Sequence, residues 1–542
     1  MIVGQSFRGK SQVTALKTFA ASKIGRAAAF WSGCAAVAIG VGLHIPMFLD
    51  CASMNYEMAG MQMDLGMQAG MGLIILGTIT AGFGLLPPPS SGLAKGHDLV
   101  VETDEAVKLN GAHIMLMIVL AFALIIDTMK PATLGFVAPG VAKEYGLTKA
   151  AVAMLPFTAL TGTVAGSLVW GVLADVFGRR ASILLAAIMF VGTAICGAMP
   201  SFQWNLAMCF MMGASAGGLM PIAYTLLAET IPARHRGWSL VLVGGVGLVG
   251  GYLAASSFAS LLIGHFGWRI LWFLGLPTGA ILIALNRFIP ESPKFLILQG
   301  RHDEARAILA RFGSTLRDVV VDAPAKAKAA ATAAPAKVFG VTVALTVTGL
   351  AWGLINFGLL LWLPADLQAK GYSAAVASHL LAVSSFIALP TVAIAALLYS
   401  RWSSKGALIT MLIVTAVGLA GVLRLETGDH SGLFATPVFP IAFLIIGANG
   451  VIAVLLPYSA ENYPLHVRGR GSGWVASASK AGGLIAQGLS LAALAPPLGV
   501  AAWMMAVPVA ASAVLVATFG RETKGRALAE ADAPLVTVLE AS

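Results

Sequence analysis

Three permanently charged side chains stand near the middle of long apolar stretches: Asp127, Lys130 and Lys480. A charge at the centre of a bilayer costs at least ~2.5–3.5 kcal/mol on insertion scales, so such residues normally face a cavity or a partner. Asp127 and Lys130 are three positions apart, close to one another on a helix surface. One reading makes them a local ion pair that renders the helix tolerable. The other makes Asp127 a carboxyl that takes up and releases a proton as its surroundings change. Lys480, within G-W-V-A-S-A-S-K-A-G-G, is placed to hold the carboxylate of a small anion; alternatively it snorkels to the nearer surface along its aliphatic stem. Tyr224, Thr225, Trp352, Asn356 and Gln487 offer the aromatic faces and neutral polar groups that line small-molecule pockets. Helix packing is the alternative for each of them. No Walker loop, nucleotide fingerprint or catalytic-triad spacing is present, so the chain reads as a non-enzyme with no cofactor.

The elements that must position these residues follow from composition. The chain has 542 residues, 58 % hydrophobic and 11 % charged, with a mean hydropathy of +0.86. A soluble domain carries about 25 % charged residues, and disorder needs low hydrophobicity; both classes are excluded. Fourteen apolar segments are long enough to cross a bilayer, at about 28–49, 66–87, 111–139, 150–173, 181–199, 205–228, 238–262, 269–289, 339–362, 374–399, 405–423, 436–459, 473–496 and 499–519. They are too long for barrel strands, so they are helices. Of the 34 Lys and Arg residues, 26 fall in loops and tails on one side, five on the other and three inside spans. This bias places both termini in the cytoplasm. The formal charge of +10 is thereby explained by topology, and no nucleic-acid partner is expected. The basic N-terminus with its apolar run of about 20 residues is read as a retained membrane helix, because cleaved signals carry only ~7–15 apolar residues.

Between the fourth and fifth spans lies G-V-L-A-D-V-F-G-R-R (171–180). Gly171 and Gly178 permit close approach of helix ends, and Asp175 can pair with Arg179 or Arg180 or cap the next helix. This segment resembles the signature loop of the major facilitator superfamily. A-E-T-I-P-A-R-H-R-G (228–237), with Glu229 and Arg236, resembles the loop after core helix 4 of that family. P-E-S-P-K-F-L and G-R-H-D-E-A resemble the sugar-porter central segment. S-A-E-N-Y-P-L-H-V-R-G-R-G-S-G-W (459–474), with Glu461 and Arg468, resembles the end of core helix 10, and E-T-K-G-R-A-L (522–528) the sugar-porter tail. The stretch D-T-M-K-P-A-T-L-G-F-V-A-P-G (127–140) resembles the first helix of the metabolite and aromatic-acid:proton symporters. Those usually carry a second acid where Lys130 stands, and Cys209 stands where many relatives have an Arg.

The resemblance implies an all-α integral membrane fold of two six-helix bundles, here with two additional N-terminal helices. The expected division is an extension (1–104), a first bundle (105–290), a cytoplasmic central loop (291–338), a second bundle (339–520) and a cytoplasmic tail (521–542). Residues 171–180, Glu229, Arg236, Glu461 and Arg468 would form the gating loops. The implied function is proton-coupled symport of a small organic acid or related metabolite by alternating access, in a monomer of the cytoplasmic (inner) membrane. Proton-coupled efflux and a non-transporting sensor on a transporter fold remain open. The extension carries seven of the 21 methionines within residues 47–71. Thioethers suit Cu(I), but methionine is also a flexible packing residue, and no metal site is assigned.

Overall fold

The computed structural model describes residues 23–85, 99–102, 108–318, 335–426, 436–463 and 465–524. Thirteen helical spans among them are long and apolar enough to cross a membrane: α1 Ile24–Met54, α2 Leu65–Leu85, α3 Gly111–Glu144, α4 Lys149–Phe177, α5 Arg179–Ala198, α6 Phe202–Thr230, α7 Arg234–Phe266, α8 Ile270–Phe288, α9 Phe339–Ala369, α10 Ala374–Trp402, α11 Ser404–Glu426, α12 Val438–Asn462 and, last in the chain, α14 Leu498–Phe519. The remaining expected span is α13, Leu465–Leu491. It starts and ends earlier than the apolar window 473–496 suggests, because a run rich in Arg, Ser and Gly is helical in its first two turns. The fold is the expected all-α membrane architecture.

The helices group into two bundles and an N-terminal hairpin. α3 packs on α7, α4 on α6, α9 on α13 and α14, and α11 on α12 and α14. The two bundles meet where α3 touches α9, α4 touches α13, and α7 touches α10 and α12. The extension is a close hairpin, α1 on α2, laid against α5. Its buried side chains Phe30, Val37, Phe48, Met58 and Met67 share one apolar core with Leu116, Leu120 and Ile183 of the first bundle. The methionines of the connecting segment serve largely as packing: Met58 and Met67 are fully enclosed, while Met54 and Met61 stay in part exposed.

The central segment forms two short helices, Pro293–Leu298 and His302–Arg311, with Phe295, Ala305 and Leu309 turned inward. A short ribbon was not foreseen: β1 Leu99–Glu102 pairs antiparallel with β2 Thr315–Asp318, Leu99 opposite Asp318. It ties the link between α2 and α3 to the central segment, so both lie at the same end of the molecule. That end, which also holds residues 521–524, is called the central-segment end below; the other is the methionine-loop end. The termini, most of the Ala/Pro/Lys-rich linker and most of the tail lie outside the described residues.

Candidate functional site

α3 carries Asp127 and Lys130 in its middle, but the structure separates them. Three residues turn a helix by about 300°, leaving two side chains about 60° apart. Lys130 points into the first bundle and is fully buried. Its ammonium donates to the Phe190 carbonyl (2.7 Å) and the Thr193 hydroxyl (2.8 Å) and lies 4.0 Å from the centre of the Phe190 ring. The thiols of Cys196 and Cys209 border it. The local ion pair with Asp127 is absent, and Lys130 is not brought to the boundary between the bundles.

Asp127 is 8 % exposed. Among the described residues it forms no direct hydrogen bond or ion pair. The cation whose charge acts on it is Lys480, from the other bundle. Lys480 is half-buried on α13, with its ammonium 5.8 Å from the Trp352 ring and 5.2 Å from the Phe357 ring. Trp352 and Phe357 meet edge to face at 5.5 Å. The Trp352 indole N–H is buried without a partner. The arrangement is therefore a cation held beside two aromatic faces, an unused donor and a carboxyl across the bundle boundary. Such a set can hold a planar anion through its carboxylate and its ring.

Trp352 and Asn356 sit in α9, where Ile355–Leu359 forms a π-helical turn. Asn356 lies within that turn, half-buried. Gln487 is buried, and its amide nitrogen donates to the Phe357 carbonyl instead of facing open space. Tyr224 of α6 is partly buried against Gly244, with its hydroxyl unpartnered. Thr225 is exposed and bonds back to the Pro221 carbonyl (2.8 Å). It lines a separate cleft of about 130 Å³ between α4 and α6, with Ser167, Gly171, Asp175 and Arg179. Phe357 was not anticipated, because a π turn leaves no signal in apolar periodicity.

The residues expected to gate form two clusters at the central-segment end. In the first, Arg179 lies 3.4 Å from Asp175 and 3.8 Å from Glu229, and Arg180 donates to Asn286 (2.8 Å). Gly178, at φ +100° and packed on Glu291, makes a turn that a side chain would obstruct. Glu291 accepts the backbone N–H of Arg179 (2.7 Å) and Arg180 (3.3 Å), neutralising the start of α5. Burial raises the Glu291 carboxyl above its ordinary range, although these N–H groups and Arg179 oppose the shift. In the second cluster Glu461 accepts from the hydroxyls of Tyr399 (2.5 Å) and Thr523 (2.6 Å). Glu522 caps the start of α11 through the Ser404 N–H (2.9 Å) and also takes the Ser403 and Ser404 hydroxyls. Burial alone would raise its carboxyl, yet these bonds outweigh burial and hold it at about 2. Arg236 belongs with the second cluster, since its charge acts on Glu461. The backbone of Arg468 lies in α13; its side chain is outside the described residues.

Both ends of the boundary are bridged, by different helices. At the central-segment end Gly237 lies beside Tyr399 and Glu461. At the methionine-loop end Gly135 lies against Leu361 and Pro364, and Tyr252 donates to the Leu360 carbonyl (3.2 Å). Two bundles, a charged central pair and separate contacts above and below it define a membrane transporter.

The family is the Major Facilitator Superfamily, to which the chain belongs: the family description matches residues 116–487. The chain is 27 % identical over 443 residues to the niacin transporter NiaP of Acinetobacter baylyi, covering 79 % of this chain and 98 % of that protein. It is 26 % identical over 392 residues to the 4-hydroxybenzoate transporter PcaK of the same organism, covering 68 % and 82 %. Its fold superposes on the inward open xylose transporter XylE from E. coli with a TM-score of 0.60 at 17 % identity, covering 78 % of this chain and 99 % of the other. The chain is thus a multi-pass membrane transporter and not an enzyme.

Proposed function

We propose that the protein carries a small organic acid, with an aromatic monocarboxylate as the preferred class, across the cytoplasmic membrane by proton symport, as a monomer with both termini in the cytoplasm. The observation that carries this reading is the Asp127–Lys480 relation across the bundle boundary, beside Trp352 and Phe357. An ionised Asp127 competes with substrate for the field of Lys480. Protonation of Asp127 frees that ammonium for a carboxylate, and the ring of the solute takes the aromatic faces. Rocking of the bundles then exposes the loaded site to the other side. Two relatives, the niacin and 4-hydroxybenzoate transporters, are named for aromatic carboxylates, which supports the substrate class.

The test is counterflow in proteoliposomes with nicotinate, 4-hydroxybenzoate, an aliphatic carboxylate, a sugar and an amine. Aromatic carboxylates should exchange, and Lys480→Ala should raise their apparent KM at least ~10-fold, the size expected for losing a buried charge-assisted hydrogen bond. Lys480→Arg should raise it much less. Exchange of the sugar or the amine alone, or equal and negligible effects of both substitutions, would overturn the organic-anion reading.

A further inference from the structure

We infer that Gln487 is a positioning residue: its amide braces the π-helical turn of α9 and thereby fixes the Phe357 ring beside Lys480. A π turn widens the helix by one residue and recurs at functional positions in otherwise regular helices. Ile355–Leu359 is such a turn, placed between the α-helical parts of α9. Its Phe357 carbonyl is taken by the Gln487 amide nitrogen from α13, and Gln487 is 1 % exposed. The bond crosses from the helix that carries Lys480 to the helix that carries the rings around it.

The surrounding packing leaves the turn little other support. Gly483 of α13 lies directly against the Phe357 side chain, and Gly358 against Ala486 and Met505. These glycines admit α9 close to α13; among the described residues the Gln487 amide supplies the polar bond at the turn, while the other bond between the two helices, Trp474 to Thr346 (3.0 Å), lies more than two helical turns away. Without the amide the Phe357 carbonyl would be buried without that donor, and the turn could relax toward the ordinary α ladder. Relaxation by one residue rotates the following side chains by about 100°. Phe357 would then leave the ammonium, and Asn356 would turn with it. Gln487 therefore sets substrate selectivity through the shape of α9, without touching the solute. The transport part of this inference rests on the proposed organic-anion function; the brace itself does not.

Two measurements on the full chain test it. Gln487→Met keeps the length and flexibility of the side chain and removes the donor. Hydrogen exchange over residues 352–362 should become at least ~10-fold faster in this variant, consistent with loss of one buried hydrogen bond. Exchange in α11 should not change. In proteoliposomes the KM for nicotinate should rise roughly tenfold relative to that for propionate, with the maximal rate much less affected. Phe357→Leu separates ring from brace: it should lower the same preference while leaving exchange over 352–362 at the wild-type rate. A purely structural role would reduce the amount of folded protein without altering the nicotinate-to-propionate KM ratio. Unchanged exchange in Gln487→Met overturns the brace, and faster exchange with an unchanged ratio overturns its role in selectivity. If wild-type protein carries no aromatic carboxylate, the proposed function fails, and the exchange measurement still decides the brace. Should Gln487→Met not accumulate, Gln487→Asn keeps the amide one methylene short of the carbonyl and is expected to give the same two changes.

Discussion

Among the described residues, two pairs of opposite charge in the interior, Glu144 with Arg269 and Asp127 with Lys480, are built on opposite principles. At the methionine-loop end Glu144 and Arg269 are joined at 2.6 Å, with side chains 3 % and 1 % exposed. Glu144 also accepts from the Trp268 indole (2.8 Å) and from the backbone N–H of Met58 (2.7 Å) and Ala59 (2.9 Å). Arg269 spends its remaining donors on Tyr145 (2.9 Å) and on the carbonyls of Gly197 (3.1 Å) and Met199 (2.9 Å). Asp127 and Lys480, by contrast, feel each other's charge without a direct bond. A buried ion pair repays its desolvation only when geometry and extra hydrogen bonds are complete. The first pair meets that condition and belongs to one bundle. The second is incomplete and divided between two bundles, which suits the proposed role of accepting a solute and moving.

Removing one member of the completed pair should have the largest effect in the molecule. Glu144→Ala strands Arg269 in an enclosed pocket and leaves the N–H groups of Met58 and Ala59 unpaired. A loss of about 3–5 kcal/mol is expected, read as a large fall in the unfolding midpoint of the solubilised protein. The double variant Glu144→Gln with Arg269→Met should recover part of that loss. If Glu144→Ala instead leaves the midpoint unchanged, the cluster does not hold the extension to the first bundle. The same variant should increase protease access to residues 51–64, which otherwise dock through these two N–H groups, the Gly60–Pro200 bond (2.9 Å) and the Phe48–Tyr56 stack (4.7 Å).

The incomplete pair should behave in the reverse way. Asp127→Asn nearly preserves volume and removes the change of charge. Concentrative, pH-driven uptake should be lost, while counterflow between equal compartments survives at least in part and the unfolding midpoint stays near wild type. A folded variant that still accumulates substrate with an unchanged pH dependence would remove Asp127 from the coupling step.

The contrast between the pairs was only partly readable from the chain. Span number follows from apolar length, which bilayer thickness constrains strongly; the two bundles and the loop motifs were legible through the resemblance that residues 171–180 and the other loops carry. Asp127 and Lys480 stood out because a charge in the middle of an apolar run is costly wherever it points. Their relation across the boundary depends on how two bundles dock, which no local pattern encodes. Glu144 and Arg269 lie at span ends, where charges are ordinary, and so drew no attention. One signal was available: Arg269 is among the few basic residues on its side, against the prevailing charge bias. Gln487 and Thr225 were chosen by type and depth alone. Their partners, the Phe357 and Pro221 carbonyls, depend on a π turn and on a helix's own backbone. The ribbon β1–β2 joins segments more than 200 residues apart, beyond the reach of periodicity.

Lys130 sharpens the comparison with the smallest expected effect. It lies one helical turn from Asp127 but faces neutral groups, the Phe190 carbonyl and the Thr193 hydroxyl, and among the described residues no carboxylate pairs with it. Lys130→Met keeps most of the length of the side chain and removes both the ammonium and its desolvation cost. Thr193 still donates to the Phe190 carbonyl (2.8 Å), so neither acceptor is left wholly without a partner. Replacing buried charge by a well-packed apolar side chain is often neutral or stabilising. The midpoint should therefore shift by only a few degrees, with unfolding changed by about 1 kcal/mol or less on the scale of one net hydrogen bond. The KM for aromatic carboxylates and the pH dependence of uptake should match wild type. The reasoning depends on orientation alone: the two side chains have similar depth in the bilayer and differ by about 60° around one helix. If Lys130→Met abolishes accumulation as Asp127→Asn is expected to do, depth outweighs orientation. The two residues then act as one coupling unit despite facing different bundles' surroundings.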